Sequence, residues 1–137
     1  MSWTVHKFGG TSLANADMIR KVAAIVLDHA KTGEVGVVVS AMAGFTDGLH
    51  GLVQSAQDKG EEWRDALADL AALQVQTAEE LLSGEAFREY VSQVSRDRKI
   101  IEDVLHATVL TGSAAPTGKD FVVGHGEIWS ASLLRLV

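Results

Sequence analysis

The sequence predicts an α/β protein in which helices cover a parallel β-sheet. A β-prone run at residues 3–6 is followed by a helical pattern at residues 15–31 and then by an unbroken apolar run at residues 35–40. An apolar strand without alternation is typical of a sheet that is buried on both faces. Strand, helix and strand in this order predict a βαβ unit with a right-handed crossover.

The first two helices are predicted from apolar spacing and from capping residues. Five apolar side chains recur at helical spacing and form one stripe that would face a core: Ile19, Val22, Ala23, Val26 and Ala30. Asn15 precedes this stripe and is a favourable N-cap. A second helix is expected to begin near Thr46 or Asp47, since either side chain could cap it.

Residues 61–110 predict a long helical hairpin with its turn at Ser83 and Gly84. The apolar stripes of the hairpin are interpreted as ordinary core, and the charged run at residues 96–99 as a solvated helix face. Residues 111–119 have the composition of a loop. A last helix follows and is still running at Val137, so we expect the chain to be cut inside or just after a helix.

Composition limits the classes of protein that fit. A chain of 137 residues, 47% of them hydrophobic, can bury one core, which predicts a single domain. The net charge of −6 argues against a nucleic-acid partner. There is no cysteine for a disulfide or a thiolate metal site. No signal peptide or membrane span is recognised, which predicts a soluble cytoplasmic protein without a membrane partner.

The most informative segment is Lys-Phe-Gly-Gly-Thr-Ser at residues 7–12, between the first strand and the first helix. Gly9 and Gly10 allow the backbone N–H groups to approach an anion at the helix N-terminus. Lys7 adds a full positive charge there, so the segment predicts a phosphate site. The alternative is a tight connection without a ligand, because the order of lysine and glycines matches neither a P-loop nor a dinucleotide-binding fingerprint.

Two further segments could complete such a site. The carboxyl ends of parallel strands lie at one sheet edge, which would place the hydroxyls of Ser40 and Thr46 near the glycine turn. Glu127, which lies beside a stretch at residues 124–126 that is expected to be flexible, could join them from a third segment. Alternatively, Ser40 and Thr46 are turn and cap residues, and Glu127 is an acidic residue in the first turn of a helix. The spacing of the five histidines argues against a zinc site.

Taken together, three segments resemble the aspartokinase family: residues 7–12, residues 38–47 (Val-Val-Ser-Ala-Met-Ala-Gly-Phe-Thr-Asp) and residues 124–130 (Gly-His-Gly-Glu-Ile-Trp-Ser). The hairpin and the run at residues 120–123 are most similar to the kinase half of bifunctional aspartokinase–homoserine dehydrogenases. The resemblance covers nearly the whole chain. It implies a three-layer α/β/α sandwich of the amino-acid-kinase, carbamate-kinase-like type. Residues 1–137 would be the N-terminal part of that domain, without the nucleotide-base half or the regulatory domains.

The resemblance also implies an activity: transfer of the γ-phosphoryl group of ATP to the β-carboxylate of L-aspartate, the first step of lysine, threonine and methionine biosynthesis. It assigns the phosphate cradle to five residues, of which the first is catalytic: Lys7, Gly9, Gly10, Thr11 and Ser12. It assigns the aspartate to Ser40, Thr46 and Glu127. Mg²⁺ would arrive with the nucleotide, without a protein ligand. The parent protein would be a homo-oligomer, and these 137 residues alone would be inactive or nearly so.

Two other functions are compatible with the sequence. The first is another amino-acid kinase that phosphorylates glutamate, acetylglutamate or a nucleotide. The second is a non-catalytic fragment whose helical hairpin serves assembly or binding.

Overall fold

A computed structural model describes residues 2–137, so that Met1 of the predicted domain lies outside the described residues. Within these residues, two strands and five α-helices follow one another: β1 (Trp3–Phe8), α1 (Ala16–Ala30), β2 (Glu34–Val39), α2 (Phe45–Gln57), α3 (Glu62–Leu81), α4 (Gly84–Thr111) and α5 (Pro116–Leu136). A short 3-10 turn, Gly10–Leu13, stands between β1 and α1.

The two strands form the predicted βαβ unit. They pair in parallel, in a register that runs from Trp3 opposite Glu34 to Phe8 opposite Val39. α1 connects them and begins where the sequence predicts, because the Asn15 side chain accepts a hydrogen bond from the Met18 N–H at 3.0 Å. The α/β prediction and the first N-cap are both confirmed.

The prediction that the sheet is buried on both faces is wrong for the described residues. On one face, the His6 ring lies 4.5 Å from the His29 ring of α1. On the other face, Trp3, Val5 and Val38 remain 63%, 67% and 50% exposed. The apolar run has the composition of a doubly covered strand, but only one of its faces carries a helical layer in residues 2–137.

α2 begins earlier than predicted, and its cap is a glycine. Gly44 has a φ of 83° and precedes the helix, and no side chain caps it. The Phe45 N–H donates to the Met42 carbonyl at 3.0 Å, which closes the turn before the helix. Because the backbone makes this turn, Thr46 and Asp47 lie within the first helical turn and their predicted capping role is wrong.

The helical hairpin predicted at residues 61–110 is confirmed as α3 and α4. Leu82 and Ser83 join the two helices, and Gly84 takes a left-handed φ of 57° at the start of α4. The hairpin packs against α2 and α5 around a core of large, fully buried side chains: Trp63, Trp129, Tyr90, Phe45, Leu49, Leu52, Leu67, Ile101, Leu105 and Leu133. The hairpin is therefore core, as its apolar stripes predict.

α5 is longer than predicted. The loop expected at residues 111–119 is confined to residues 112–115, and Pro116 occupies the first turn of α5, where its fixed φ favours a helix. Residues 124–126 therefore lie inside a helix, and the predicted flexibility is wrong. Glu127 is eleven residues beyond Pro116, so its placement in a first helical turn is also wrong.

The charged run at residues 96–99 is only partly a solvated face. Arg96 and Lys99 are exposed, whereas Asp97 is half-buried and accepts a hydrogen bond from Trp129 Nε1 at 2.9 Å. The periodicity of the run does not reveal this contact, because its partner lies on another helix.

Candidate active site

The carboxyl ends of the two strands define the candidate site. Phe8 is paired with Val39, and the Ser40 N–H donates to the Phe8 carbonyl at 3.0 Å, which extends the pairing by one residue. The segment after β1 and the segment after β2 therefore leave the sheet side by side. This is the sheet edge at which ligands bind in open α/β folds.

The glycine segment forms a tight turn at this edge. Gly9 is extended, with φ −81° and ψ 175°, and the Ser12 N–H donates to its carbonyl at 3.1 Å. Leu13 is buried and anchors the end of the turn, while Gly9 and Thr11 are exposed. The turn thus presents backbone to solvent beside Lys7, as a phosphate cradle requires.

Gly10 packs directly on the segment that follows β2. A Cβ on Gly10 would lie 3.2 Å from the Ala41 carbonyl oxygen and 3.7 Å from Ala43 Cα. The first of these distances is tighter than most Cβ contacts in proteins, so a side chain at residue 10 would require the Ala41 carbonyl to shift by a few tenths of an ångström.

The segment after β2 leads from Ser40 into α2. Ser40 is half-buried, Ala41 and Met42 are buried, and Thr46 is exposed in the first turn of α2. The first N–H groups of an α-helix have no acceptor within the helix, and they carry partial positive charge. Near Thr46, the site therefore offers a hydroxyl group together with backbone N–H groups of the first turn of α2 that have no acceptor within the helix.

α5 reaches the same place through Gly126. A Cβ on Gly126 would lie 2.7 Å from Ala41 Cβ and 3.4 Å from Leu49 Cδ1. No real Cβ tolerates the first distance, so α5 can approach the end of β2 only because residue 126 is glycine. Glu127 follows directly and is exposed. The three predicted segments thus converge on Ala41.

Lys7 and Glu127 approach this edge from different sides. Lys7 is paired with Val38 and alternates with His6, so its side chain lies on the open face of the sheet, away from α1. α5 packs on the face that α1 covers, beside Val37 and Val39. Within residues 2–137, Lys7 and Glu127 make no ion pair with each other or with another side chain.

A well-formed cleft in the described part of the chain lies away from these segments. It has a volume of about 470 Å³ and opens between α1, β2 and the end of α5, with Val26, Val37 and Leu134 among its walls. None of the predicted site residues lines it. Residues 2–137 also bring no three His, Asp or Glu side chains together as a metal site. None of the helices in residues 2–137 combines the length and apolar character that crossing a bilayer requires.

Sequence reasoning missed the packing role of Gly126 and treated its neighbourhood as flexible. Glycine inside a helix costs about 1 kcal/mol relative to alanine. A glycine in a segment that is nevertheless helical therefore indicates that close packing excludes a side chain there. It also missed Gly44, whose left-handed conformation sets the start of α2.

Comparison with known proteins assigns the class of protein. A profile of the amino acid kinase family matches residues 2–137, and the chain belongs to that family. Among curated relatives, it is 39% identical over 132 residues to the chloroplastic bifunctional aspartokinase/homoserine dehydrogenase 2 of Zea mays, a match that covers 96% of this chain. It is 37% identical over 136 residues to the corresponding enzyme 1 of Arabidopsis thaliana, with 99% of this chain covered.

Solved structures give the same fold. The aspartokinase III of E. coli, crystallised with aspartate and ADP, matches 97% of this chain with a TM-score of 0.80 and 31% identity. The aspartate kinase of Clostridium acetobutylicum matches 95% of this chain with a TM-score of 0.68 at 18% identity, which supports the fold alone. The predicted amino-acid-kinase fold class is therefore confirmed.

The matched region is a small part of each relative. The chain spans 14% of the length of the maize protein and 15% of the Arabidopsis protein. It spans 28% of the E. coli aspartokinase III chain.

Proposed function

We propose that this chain forms the N-terminal part of the catalytic domain of an aspartokinase, which transfers the γ-phosphoryl group of ATP to the β-carboxylate of L-aspartate. The observation that carries the proposal is the convergence of three segments on Ala41 at the carboxyl edge of the sheet. These segments bear Lys7, Ser40 and Glu127. The relatives at 39% and 37% identity that bear the name aspartokinase support the same reaction.

The residues of the glycine turn suit the phosphoryl side of the reaction. Phosphoryl transfer requires that the reactants be positioned and that charge on the transferred oxygens be neutralised. We assign the neutralising charge to Lys7 and the surrounding donors to the turn: Gly9, Gly10, Thr11 and Ser12. The acceptor is a carboxylate with an ordinary pKa of about 3.9, which is already ionised at neutral pH. No general base is needed.

The residues on the other two segments suit the amino-acid substrate. The hydroxyls of Ser40 and Thr46 can donate hydrogen bonds to a carboxylate. Glu127, exposed and without an internal ion-pair partner in residues 2–137, can face the ammonium group of aspartate. The presence of aspartate in the crystals of the E. coli relative supports this substrate.

Further properties belong to the proposal for the whole protein. We assign Mg²⁺ to the bound nucleotide, since it is commonly held through substrate phosphates. Homo-oligomerisation, a role in lysine and threonine biosynthesis and a cytoplasmic location stay predictions, and the plant relatives carry the word chloroplastic in their names. A homoserine dehydrogenase domain in the parent protein is supported by the bifunctional relatives.

The test is made on the full-length protein that contains this chain. The wild type should form ADP in an aspartate-dependent manner and should yield an acyl hydroxamate with aspartate but not with glutamate. Lys7→Ala removes the charge that neutralises the phosphoryl group, and turnover should fall about a hundredfold or more. Lys21→Ala is the matched control, because Lys21 is an exposed lysine on α1 away from the sheet edge.

Each alternative function has its own outcome in this experiment. Hydroxamate formation with glutamate rather than aspartate would indicate another member of the family. Unchanged activity together with an altered oligomer size in Lys7→Ala would indicate an assembly module. The 137-residue chain assayed alone should show no aspartate-dependent ATP consumption.

A further inference from the structure

A buried polar cluster joins α5 to the helical hairpin. The Tyr90 hydroxyl donates to Gln74 Oε1 at 2.7 Å and lies 3.2 Å from the backbone carbonyl oxygen of Trp129. Trp129 Nε1 in turn donates to Asp97 Oδ2 at 2.9 Å. Gln74, Tyr90 and Trp129 are fully buried. These four residues are called the Tyr90 cluster below.

The cluster is costly to disturb. A buried donor that loses its acceptor cannot hydrogen-bond to water instead. Removing one partner of such a pair therefore destabilises the protein by the desolvation cost of the other. Burial raises the pKa of Tyr90, and the charge of Asp97 raises it further, so that the hydroxyl stays protonated and remains a donor. Trp129 is thus held at its ring and at its backbone.

Trp129, which the cluster anchors, lies close in sequence to Glu127, the residue proposed to bind the substrate. Trp129 follows Glu127 by two positions, which places the two side chains about 200° apart around α5. Trp129 therefore faces the hairpin while Glu127 is exposed on the other side, and Gly126, the residue before Glu127, packs on Ala41. Fixing Trp129 fixes both the rotation and the axial position of α5 at Glu127.

We propose that the Tyr90 cluster positions Glu127 for recognition of the amino-acid substrate, with Tyr90 and Asp97 as positioning residues supplied by the hairpin. The inference rests on the proposed function. It gives the hairpin a role in the reaction without requiring that it touch either substrate.

The geometry sets the expected size of the effect. A rotation of α5 by about 10° moves a group about 6 Å from the helix axis by about 1 Å. A displacement of this size is enough to weaken an oriented contact in an active site. Because only α5 would move, the contact with the aspartate ammonium group should suffer, while the glycine turn that holds the phosphates should not.

Asp97→Leu in the full-length enzyme is the main test. This variant removes the acceptor of Trp129 Nε1, and the KM for aspartate should rise about threefold to tenfold while the KM for ATP stays within about twofold. Asp97→Asn keeps an oxygen acceptor and should restore the KM for aspartate to near the wild-type value. Asp103→Leu is the matched control on α4, because Asp103 is exposed and, among residues 2–137, its one ion-pair partner is Lys99 on the same helix.

The results separate this inference from the proposed function. A wild-type enzyme without aspartate-dependent phosphorylation overturns the proposed function and this inference with it. An active wild type in which Asp97→Leu leaves the KM for aspartate unchanged, or raises the KM for ATP equally, overturns the inference alone. If Asp97→Leu does not fold, Tyr90→Phe decides by the same two constants, since it removes one hydroxyl and keeps the ring.

Discussion

Two glycines determine how closely the three segments of the candidate site approach one another. Gly10 brings the turn after β1 within contact of the Ala41 carbonyl, and Gly126 brings α5 against the Ala41 methyl group. Neither glycine has a positive φ, so the absence of a side chain matters at these two positions and not an unusual backbone conformation, with the tighter contact at Gly126. The second glycine of the motif Gly-His-Gly-Glu is therefore explained by close packing of a helix and not by a flexible loop.

Gly126→Ala should destabilise the chain by about 1–3 kcal/mol, because the added methyl group overpacks against Ala41. Gly124→Ala is the matched control in the same helix. A Cβ there would meet no atom within 4 Å, so the higher helix propensity of alanine should stabilise by about 0.5–1 kcal/mol. Urea unfolding of both variants measures the difference, and equal midpoints would contradict the packing role of Gly126.

Residue identity predicts which side chains belong to the candidate site, but it does not predict how they are arranged. The charge or hydroxyl groups of Lys7, Ser40, Thr46 and Glu127 mark them as candidates, and the structure brings their segments to one sheet edge. Their individual roles stay predictions. The approach of Lys7 from the open face could not be predicted, because it depends on strand register and on which face α1 covers.

Among the secondary-structure elements, the first residues of α1 and α2 are set by different kinds of cap. The α1 start was predicted because a local side chain, Asn15, caps it by a hydrogen bond within the same turn. The α2 start was mispredicted because Gly44 makes the turn through its backbone, which leaves the hydroxyl of Thr46 unused as a cap. A capping side chain can be recognised from its residue type in the sequence. A turn made by the backbone alone is indicated only by the glycine that adopts its left-handed conformation.

Asn15→Ala should lower the free energy of unfolding by about 1 kcal/mol, because the Met18 N–H loses its acceptor. Asn15→Ser retains an acceptor and should recover most of this loss. Thr46→Ala, in contrast, should leave stability within about 0.5 kcal/mol of wild type, since its side chain is exposed and caps nothing. Denaturant unfolding compares the three, and a large loss in Thr46→Ala would restore its role as a cap.

α5 shows how tertiary packing overrides local preference. Its first half contains Gly118, Gly124 and Gly126, which by themselves favour a loop. The helix nevertheless continues, because its inner face buries Val122, Trp129 and other large side chains against the hairpin and α2. Burial of such side chains stabilises by about 1.5–3 kcal/mol each, which exceeds the cost of the glycines.

In the molecule as a whole, one buried hydroxyl links three of the helices that form the core. Tyr90, the sole tyrosine of the chain, joins α3, α4 and α5. Burial raises its pKa above the ordinary value of about 10, so that above this pH the folded chain retains a proton that the unfolded chain has released. Stability should therefore fall as the pH rises above about 10, by at most about 1.4 kcal/mol per pH unit.

This pH dependence can be observed directly. Tyrosinate absorbance should appear together with loss of helical circular dichroism and not before it, because the native hydroxyl does not ionise. Tyr90→Phe should remove the Tyr90 contribution to the slope of stability against pH. Ionisation of Tyr90 in a chain that remains fully helical would contradict the raised pKa.

The order of strand, helix and strand and the helical hairpin can be predicted from the amino-acid sequence, which also supplies the candidate site residues. These follow from apolar periodicity and from residue chemistry, both of which are local. Long-range packing explains why α5 runs unbroken through Glu127, why the sheet has one open face within residues 2–137, and how Tyr90 and Asp97 anchor Trp129. Each of these depends on contacts between residues far apart in the chain, and local patterns of propensity do not record such contacts.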